Sequence, residues 1–378
     1  MRQRVAILGA SGSIGSQALD VVAEHRDRFE VVALAYGRRS EASDAMAATY
    51  PAAKVRVGGD SRALTDLVED SAPDIVLVAT TGLVALPATM AALDMGAAVA
   101  IANKETIVAG GELVMAAARR AAEAAHSTPL ERLRPVDSEH SALWQCLNGE
   151  DPTRVERLWL TASGGPFRTW EAERISDALP VEALKHPTWS MGAKITVDSA
   201  SLVNKGLEAI EAQRLYGVPM ERVGILVHPE SAVHALVTFS DGSTIAQLAS
   251  ADMRGPIGYA LGYPQRMERL IPPVDLAARG TLTFEAPDLR RFPGLATSLA
   301  AGRSGVRATS ALIAADDVAV GRFLAGECRF GAIPAILEST VNALEAGAAP
   351  TSAEALLELD AEARAYAAAI AIPELLRA

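Results

Sequence analysis

Two carboxylates separated by a single residue, Asp137 and Glu139, are the first candidates for chemistry in this sequence. The segment 135–140 is predicted to lie at the end of a strand, where residues two apart point the same way, about 6.6 Å from each other. Such a pair can converge on one cation, and carboxylate oxygens favour a hard ion such as Mg²⁺ or Mn²⁺. Because most pairs of this kind are solvated surface acids, the pair alone is weak evidence for a metal site.

Further polar clusters supply the groups that a phosphate monoester beside a divalent cation requires. Residues 103–105 (Asn-Lys-Glu) end a predicted sheet strand, where ligands gather in open α/β sheets. Residues 161–166 offer a hydroxyl group and exposed backbone N–H groups. Residues 197–201 and 204–208 add hydroxyls, an amide, a lysine and a third carboxylate.

The segment 185–192 is predicted to be a mobile loop whose Trp189 and Met191 could form an apolar lid. The alternatives are that Trp189 belongs to an ordinary core and that His186 is a loop histidine with a structural role. A structural role is favoured for His140, His228 and His234. The remaining acids of this region, Asp198 and Glu211, are either supporting groups behind a site or plain surface acids.

A glycine-rich turn, GASGSIG at residues 9–15, follows a predicted strand and opens a predicted helix. Glycines allow the backbone to approach a pyrophosphate, and the helix N-terminus supplies free N–H groups. The next strand ends in Tyr-Gly-Arg-Arg-Ser at 36–40, without the acid that usually binds the ribose of NAD. Two arginines and a hydroxyl suit a 2′-phosphate, so NADPH is favoured over NAD, although Arg38 and Arg39 could also be solvated loop residues.

These residues are positioned by elements that the apolar pattern predicts. Alternating strands and helices in about the first 125 residues indicate a parallel α/β sheet, with strands at 5–8, 31–36, 75–79 and 97–102 and helices ending near 24, at 83–95 and at 109–125. A mixed region follows, with strands at 157–161, 223–226, 232–239 and 244–248, a hairpin turn at 240–243 and a helix at 204–216. Residues 263–287 read as an extended linker, and the helical tail beyond 293 shows no cluster of reactive groups.

Composition excludes several classes of protein. The 378 residues carry 46 acids against 35 bases, a net charge of −11, which argues against nucleic acid or an anionic membrane as partner. Two cysteines cannot form a disulfide framework, so a reducing, cytosolic setting is expected. The uncharged stretch 75–93 is interrupted by turn residues and Pro87, and the start of the sequence leaves no room for a targeting peptide, so neither a membrane span nor a leader is expected.

In this order, the motifs resemble the 1-deoxy-D-xylulose 5-phosphate reductoisomerase family. The resemblance rests on GASGSIG at 9–15, ANKE at 102–105, PVDSEH at 135–140, SGGPF at 163–167, HPTWSMG at 186–192, DSA at 198–200, NKGLE at 204–208 and HPESAVH at 228–234. It implies a Rossmann-like NADPH-binding domain (1–130), a central α+β catalytic domain (131–262), a linker (263–290) and a C-terminal helical bundle (291–378).

The resemblance also implies roles for single residues. A Mg²⁺ or Mn²⁺ ion would be bound by Asp137, Glu139 and Glu208. These three residues and Lys104 are the catalytic candidates. The substrate would be held by Lys104, Ser138, Glu139, Ser163, His186, Trp189, Ser199, Asn204, Lys205 and Glu208. The NADPH site would comprise Ser11, Gly12, Ser13, Ile14, Gly37, Arg38, Arg39, Asn103, Glu105 and Gly192.

The implied activity is rearrangement and NADPH-dependent reduction of 1-deoxy-D-xylulose 5-phosphate to 2-C-methyl-D-erythritol 4-phosphate, by retro-aldol cleavage, re-addition and hydride transfer, in a cytoplasmic homodimer. Two departures from the family pattern stand out: Arg38-Arg39 replaces a common Lys-Asn pair, and Asp316-Asp317 replaces a common Asn-Glu pair, which is expected to affect packing alone. The alternatives are another two-domain NADPH-dependent semialdehyde or sugar-phosphate dehydrogenase, and a non-catalytic protein that senses the nucleotide.

Overall fold

The computed structural model describes residues 1–186, 189 and 191–372. The chain forms two compact units. Unit one comprises residues 1–107, 111–145 and 252–273, and unit two comprises 108–110, 146–251 and 274–378. The predicted division at 130, 262 and 290 remains a prediction, but the chain crosses between units at other positions, because 252–273 belong to unit one and the C-terminal helices belong to the same unit as the second sheet.

Ten strands form two sheets in the described part of the chain. They are β1 (Gln3–Leu8), β2 (Phe29–Tyr36), β3 (Lys54–Val57), β4 (Ile75–Val78), β5 (Ala98–Ile101), β6 (Leu133–Pro135), β7 (Val155–Ala162), β8 (Val223–Val227), β9 (Val233–Phe239) and β10 (Thr244–Leu248).

The helices of the described residues fall between and after these strands. They are α1 (Ser13–Glu24), α2 (Glu41–Thr49), α3 (Ser61–Ser71), α4 (Leu86–Asp94), α5 (Lys104–Ala124), α6 (Pro129–Arg132), α7 (Ser138–Leu147), α8 (Ala172–Ser176), α9 (Pro180–Ala183), α10 (Ala193–Ala200), α11 (Val203–Tyr216), α12 (Arg254–Gly262), α13 (Leu276–Arg279), α14 (Pro293–Ser304), α15 (Val306–Leu324), α16 (Ala332–Leu344) and α17 (Ala353–Ala369). None of the described helices combines the length and the apolar character needed to cross a membrane.

Unit one is built on a parallel sheet with strand order β3-β2-β1-β4-β5-β6. This is the strand order of Rossmann-type dinucleotide-binding folds. The short runs Ile75–Val78 and Ala98–Ile101 are buried along their whole length, since helices cover both faces of such a sheet. The core includes Ile7 and Leu77 and extends to Leu261 of α12. The predicted parallel α/β unit is therefore confirmed.

The turn after β1 needs glycine at two positions. Gly9 has a φ of +89°, and a Cβ atom there would lie 2.4 Å from the carbonyl oxygen of Ala79, just past β4. A Cβ atom at Gly15 would lie 2.3 Å from the carbonyl oxygen of Gly9. The two residues thus let α1 start close to the edge of the sheet, at the point where the strand order reverses between β1 and β4.

Unit two contains a four-stranded mixed sheet with order β10-β9-β7-β8, in which only β7 and β8 are parallel. The hairpin between β9 and β10 turns as predicted: Gly242 has a φ of +85°, and Asp241 accepts a hydrogen bond from the backbone N–H of Ser243 at 2.9 Å. Helices α14 to α17 pack against one another and against α10 and α11 within this unit.

Three predictions about local structure are wrong. Strand β6 ends at Pro135, so Asp137 precedes α7 and Glu139 lies in the first helical turn rather than on a strand. The long helix of unit one begins at Lys104 instead of 109 and changes direction at Gly111, whose φ is +45°. The proposed extended linker contains the short helix α13, which Asp275 caps by accepting from the N–H of Ala278.

Two helical glycines in unit two should respond oppositely to a methyl group. A Cβ atom at Gly206 of α11 would lie 2.3 Å from Cβ of Ser298 on α14, whereas one at Gly321 of α15 meets nothing within 4 Å. We expect Gly206→Ala to lower the free energy of unfolding by about 1–3 kcal/mol through overpacking. The matched control Gly321→Ala should raise it by about 0.5–1 kcal/mol through helix propensity. Urea unfolding followed by tryptophan fluorescence checks both, and shifts in the same direction would contradict this explanation.

Candidate active site

The carboxyl edge of the six-stranded sheet gathers most of the predicted residues of unit one. The glycine turn follows β1, and Ser11, Gly12 and Ser13 are exposed there, with Gly12 as the N-cap of α1. Among the described residues no side chain caps this helix, and its first turn holds no acid, so its terminal N–H groups can bind an anion. Ile14 is half-buried and packs against the core, which fixes the helix start.

The residues after β2 form an exposed basic corner. Tyr36 is buried, whereas Gly37, Arg38 and Arg39 are exposed. The Nε atom of Arg39 lies 2.9 Å from Oδ1 of Asp44, and both side chains are more than half exposed. An exposed ion pair of this kind contributes little to stability, so Arg39 can exchange its partner for a phosphate at small cost. The corner thus retains two cations that could meet a 2′-phosphate.

Asn103 organises the turn between β5 and α5. It is 1% exposed, accepts from the N–H of Thr106 at 2.7 Å, and donates to the carbonyl oxygens of Thr80 and Gly82 at 2.7 and 2.8 Å. One side chain therefore caps α5 and fastens it to the loop after β4. Glu105 follows in the first turn of α5, where a carboxylate is favoured by the helix dipole.

Lys104 and Asp137 form a close ion pair at the same edge. The Nζ atom of Lys104 lies 2.6 Å from Oδ2 of Asp137, and the two side chains are 10% and 14% exposed. Asp137 also stands directly before α7, and its backbone carbonyl oxygen accepts the first hydrogen bond of this helix, from the N–H of Ser141. Next to it, the hydroxyl of Ser138 donates to Oε2 of Glu139 at 2.6 Å. All four predicted residues of this group, Lys104, Asp137, Ser138 and Glu139, are thus clustered in unit one.

In unit two, His186 joins two predicted hydroxyl groups. Its Nε2 atom lies 3.2 Å from Oγ of Ser163 and 3.1 Å from Oγ of Ser199. Its Nδ1 atom accepts from the backbone N–H of Trp189 at 2.9 Å, so the proton of the neutral ring is on Nε2 and faces the hydroxyls. Burial lowers the pKa of His186, which favours this neutral form.

The strand-to-loop turn behind this cluster is tightly packed. Ser163 follows β7, and its hydroxyl accepts from the N–H of Gly165 at 3.2 Å. Gly165 has a φ of +65°, and a Cβ atom there would lie 2.8 Å from the carbonyl oxygen of Ser199. The glycine therefore lets the loop approach α10 closely, which brings the serines of two separate segments to one histidine.

Helix α11 carries the other predicted polar residues of unit two. Oε1 of Glu208 accepts from Nδ2 of Asn204 at 2.5 Å, and Oε2 is paired with Nζ of Lys205. The side chains of Lys205 and Glu208 are 4% and 2% exposed. Such a buried carboxylate is stable only with a cation beside it, and either an ammonium group or a metal ion can fill that role. Both units thus hold a lysine–carboxylate pair of the same kind.

The remaining predicted residues have simpler positions. Gly192 is the N-cap of α10, and Trp189 is half-buried, with its ring 6.2 Å from that of His234. The predicted lid, 185–192, includes residues 187, 188 and 190, which lie outside the described residues. Asp198 and Glu211 are 3% and 1% exposed, so neither is a surface acid.

His228 illustrates the structural role predicted for His140, His228 and His234. It is fully buried, and its Nε2 atom accepts from the N–H groups of Ala232 and Val233 at 3.1 and 3.2 Å. Its Nδ1 atom lies 2.8 Å from the carbonyl oxygen of Thr283, so the ring holds two chain segments together. His140 and His234 are also buried.

Sequence reasoning missed one charged cluster. The tail beyond 293 was predicted to hold no cluster of reactive groups. Asp316 of α15, however, is buried and paired with Lys194 of α10. The two residues are 122 positions apart, so no local pattern reports the contact. The signal that could have suggested it is the double acid 316–317 in an otherwise apolar helix.

Known proteins are similar to this chain over most of its length. The family model for 1-deoxy-D-xylulose 5-phosphate reductoisomerase matches residues 5–63 and 51–111, and two models for its C-terminal domains match 133–216 and 248–366. The chain is 43% identical to a 1-deoxy-D-xylulose 5-phosphate reductoisomerase from Thermomicrobium roseum, covering 97% of each sequence.

Solved structures with the same fold give a consistent result. The enzyme of Zymomonas mobilis in complex with NADPH is 36% identical, with a TM-score of 0.86 and coverage of 98% of this chain and 99% of that one. A DOX-P reductoisomerase in complex with NADPH, fosmidomycin and magnesium is 34% identical, with a TM-score of 0.88 and coverage of 97% and 98%.

We expect inorganic phosphate to raise the pKa of His186. Burial disfavours the imidazolium, so the ring is neutral near pH 7, and a bound dianion would stabilise the charged form. The measurement is an NMR pH titration of the histidines, with and without phosphate at constant ionic strength. The exposed His126 serves as the internal control. A midpoint for His186 that phosphate leaves unchanged, or moves as much as that of His126, would contradict phosphate binding at this ring.

Proposed function

Since the chain belongs to the 1-deoxy-D-xylulose 5-phosphate reductoisomerase family, we propose that it converts 1-deoxy-D-xylulose 5-phosphate into 2-C-methyl-D-erythritol 4-phosphate, using NADPH and a divalent metal ion. This reaction belongs to the non-mevalonate route to isoprenoid precursors. The single observation that carries the proposal lies within unit one. The glycine turn for a dinucleotide and the Lys104–Asp137 pair occupy the same carboxyl edge of one parallel sheet.

We assign the NADPH site to the corner formed by the glycine turn and the end of β2. Ser11, Gly12 and Ser13 present the backbone that would meet the pyrophosphate. Arg38 and Arg39 would meet the 2′-phosphate, and no acid stands at the end of β2 to favour NAD. The other proposed contacts are those of Ile14, Gly37, Asn103, Glu105 and Gly192. When bound, NADPH supplies the hydride for the reduction step.

We assign the metal ion to Asp137, Glu139 and Glu208. These residues offer only carboxylate oxygens, the donor set of Mg²⁺ and Mn²⁺, and two of them are paired with a lysine in the structure. An ammonium group and a metal ion satisfy the same negative charge, so the residues fit the ion. When bound, the ion would act as a Lewis acid on the carbonyl and hydroxyl oxygens of the substrate.

The substrate phosphate is assigned to the cluster in unit two. Ser163, His186 and Ser199 are already in contact, and their hydroxyl and Nε2–H groups are donors of the type that phosphate oxygens accept. Asn204 and Lys205 follow on α11 and would add an amide and a positive charge. Trp189 would cover the bound substrate as part of the 185–192 segment, which excludes water during the reaction.

Lys104 is the candidate for charge and proton handling at the reacting end. Its ammonium group, largely removed from solvent, is paired with Asp137, which directly precedes Ser138 and Glu139 in the chain. Released from Asp137 when the carboxylates bind another cation, it could stabilise an oxyanion or pass on a proton. Ser138 and Glu139 would orient the hydroxyl and carbonyl end of the substrate.

Two features of the whole protein complete the proposal. We propose that the chain acts as a homodimer, a state that rests on family precedent. We also propose a cytoplasmic location. The two cysteines are buried and free, as is usual for proteins of a reducing compartment.

Glu208→Gln should abolish turnover, because the amide removes one negative charge from the proposed metal site. NADPH binding should stay within about twofold of wild type, since the proposed dinucleotide contacts are on other segments. The assay follows NADPH absorbance with 1-deoxy-D-xylulose 5-phosphate in chelator-treated buffer, with and without added Mn²⁺.

In the same assay, metal-independent oxidation of NADPH by the wild type with a simple aldehyde would favour another dehydrogenase. NADPH binding without any oxidation would favour a nucleotide sensor. Wild-type activity of Glu208→Gln with Mn²⁺ supplied would show that the ligand assignment is wrong.

The double variant Arg38→Ala/Arg39→Ala should weaken the binding of NADPH more than the binding of NADH. Removal of two cations from a 2′-phosphate should raise KM for NADPH by about tenfold or more and leave KM for NADH nearly unchanged. Arg120→Ala, which breaks an exposed ion pair with Asp94 elsewhere in unit one, is the control. Equal effects on the two cofactors would contradict the assignment of the corner to the 2′-phosphate.

A further inference from the structure

Helix α10 has only eight residues, and its position must come from tertiary contacts. Isolated helices of this length are marginal in water, and its N-cap, Gly192, has no side chain to cap it. Yet α10 carries Ser199, whose hydroxyl is 3.1 Å from Nε2 of His186. A shift of about 1 Å would break this contact, so whatever holds α10 also sets the geometry of the proposed phosphate site.

A buried ionic cluster in unit two holds the helix. On α10, Nζ of Lys194 lies 2.8 Å from Oδ2 of Asp198, one helical turn on. The same ammonium group is paired with Asp316 and lies 3.6 Å from Oδ1 of Asp317, both on α15. One lysine therefore contacts three carboxyl groups on two helices.

The cluster is anchored further by α17. Arg364 donates from Nη2 to Oδ2 of Asp317 at 2.7 Å and from Nε to Oδ2 of Asp360 at 2.6 Å. Helices α14 and α16 also pack on α15, but Arg303 and Glu338 on them are exposed. We call the six residues Lys194, Asp198, Asp316, Asp317, Asp360 and Arg364 the α10 anchor.

The charges of the anchor do not balance if every acid is ionised. Four carboxyl groups face two cations, and the side chain of Asp316 is 1% exposed. Burial raises the pKa of Asp316, and the ammonium group of Lys194 opposes this shift. One oxygen of Asp198 and one of Asp316 contact the same ammonium group, so Lys194 links α10 to α15.

We propose that Lys194 and Asp316 are positioning residues of the phosphate site, whose ion pair between α10 and α15 fixes α10 and thereby Ser199. Neither residue touches the substrate in this assignment. The inference rests on the proposed function, because it concerns the grip on the substrate phosphate. It adds that residues of the C-terminal helices decide how tightly that phosphate is held.

The test compares three variants with the wild type. Asp316→Leu removes the carboxyl group that pairs with Lys194, whereas Asp316→Asn keeps the size of the side chain and an oxygen that can accept from Lys194. Lys194→Met removes the cation. Arg303→Met, which breaks an exposed ion pair with Glu221 in the same unit, is the control.

We expect Asp316→Leu and Lys194→Met to raise KM for the sugar phosphate about tenfold or more, with KM for NADPH and kcat within about threefold of wild type. Binding of inorganic phosphate, followed by the NMR signal of His186, should weaken in parallel. Asp316→Asn should lose less than Asp316→Leu, and Arg303→Met should stay within about twofold of wild type in both measurements. Thermal unfolding confirms that each variant is folded under assay conditions.

The outcomes separate this inference from the proposed function. If the wild type does not turn over 1-deoxy-D-xylulose 5-phosphate, the proposed function fails, and phosphate binding to His186 still tests the anchor. Unchanged phosphate affinity in folded Asp316→Leu and Lys194→Met would overturn the positioning role. A loss in Arg303→Met as large as that in Lys194→Met would overturn it as well.

Discussion

The pairing of buried carboxyl groups with lysine is the interaction on which the rest of the structure depends. Only five lysines occur in the chain, and three of them, Lys104, Lys194 and Lys205, contact carboxyl groups that are largely shielded from water. An unpaired charge at such positions would cost several kcal/mol. The compact, rotatable ammonium group neutralises a carboxylate without the fixed geometry of arginine, so it can yield to another cation.

These pairs become useful because the fold gathers the ends of its elements. In unit one, parallel strands place the turns after β1, β4, β5 and β6 along one edge. In unit two, Ser163 follows β7 and the short helix α10 presents Ser199, so that one imidazole meets both hydroxyls. Polar side chains at such edges satisfy one another until a ligand replaces part of the network. The side chains that now contact one another are therefore the same groups that would bind a ligand.

The second unit shows how stability and function share residues. Helix α10 is too short to hold its own position, and its link to α15 and α17 runs through charged groups rather than apolar packing alone. Such a link is specific in geometry but sensitive to a single change, since removing one partner leaves the others buried and unbalanced. The acids at 316 and 317, predicted to matter for packing alone, thus contact Lys194 of the helix that carries the proposed substrate residue Ser199.

Much of this protein was determined by the sequence itself: the parallel sheet, the glycine turn, the motif residues and the family they indicate. These features are local, because apolar periodicity and turn chemistry act over a few neighbouring residues. Tertiary structure alone decided that Glu139 lies on a helix, where the chain passes from β6 directly into α7. It also decided the pairing of Lys194 with Asp316, because the energy of a buried ion pair depends on distance in space, and 122 residues of chain separate these two side chains.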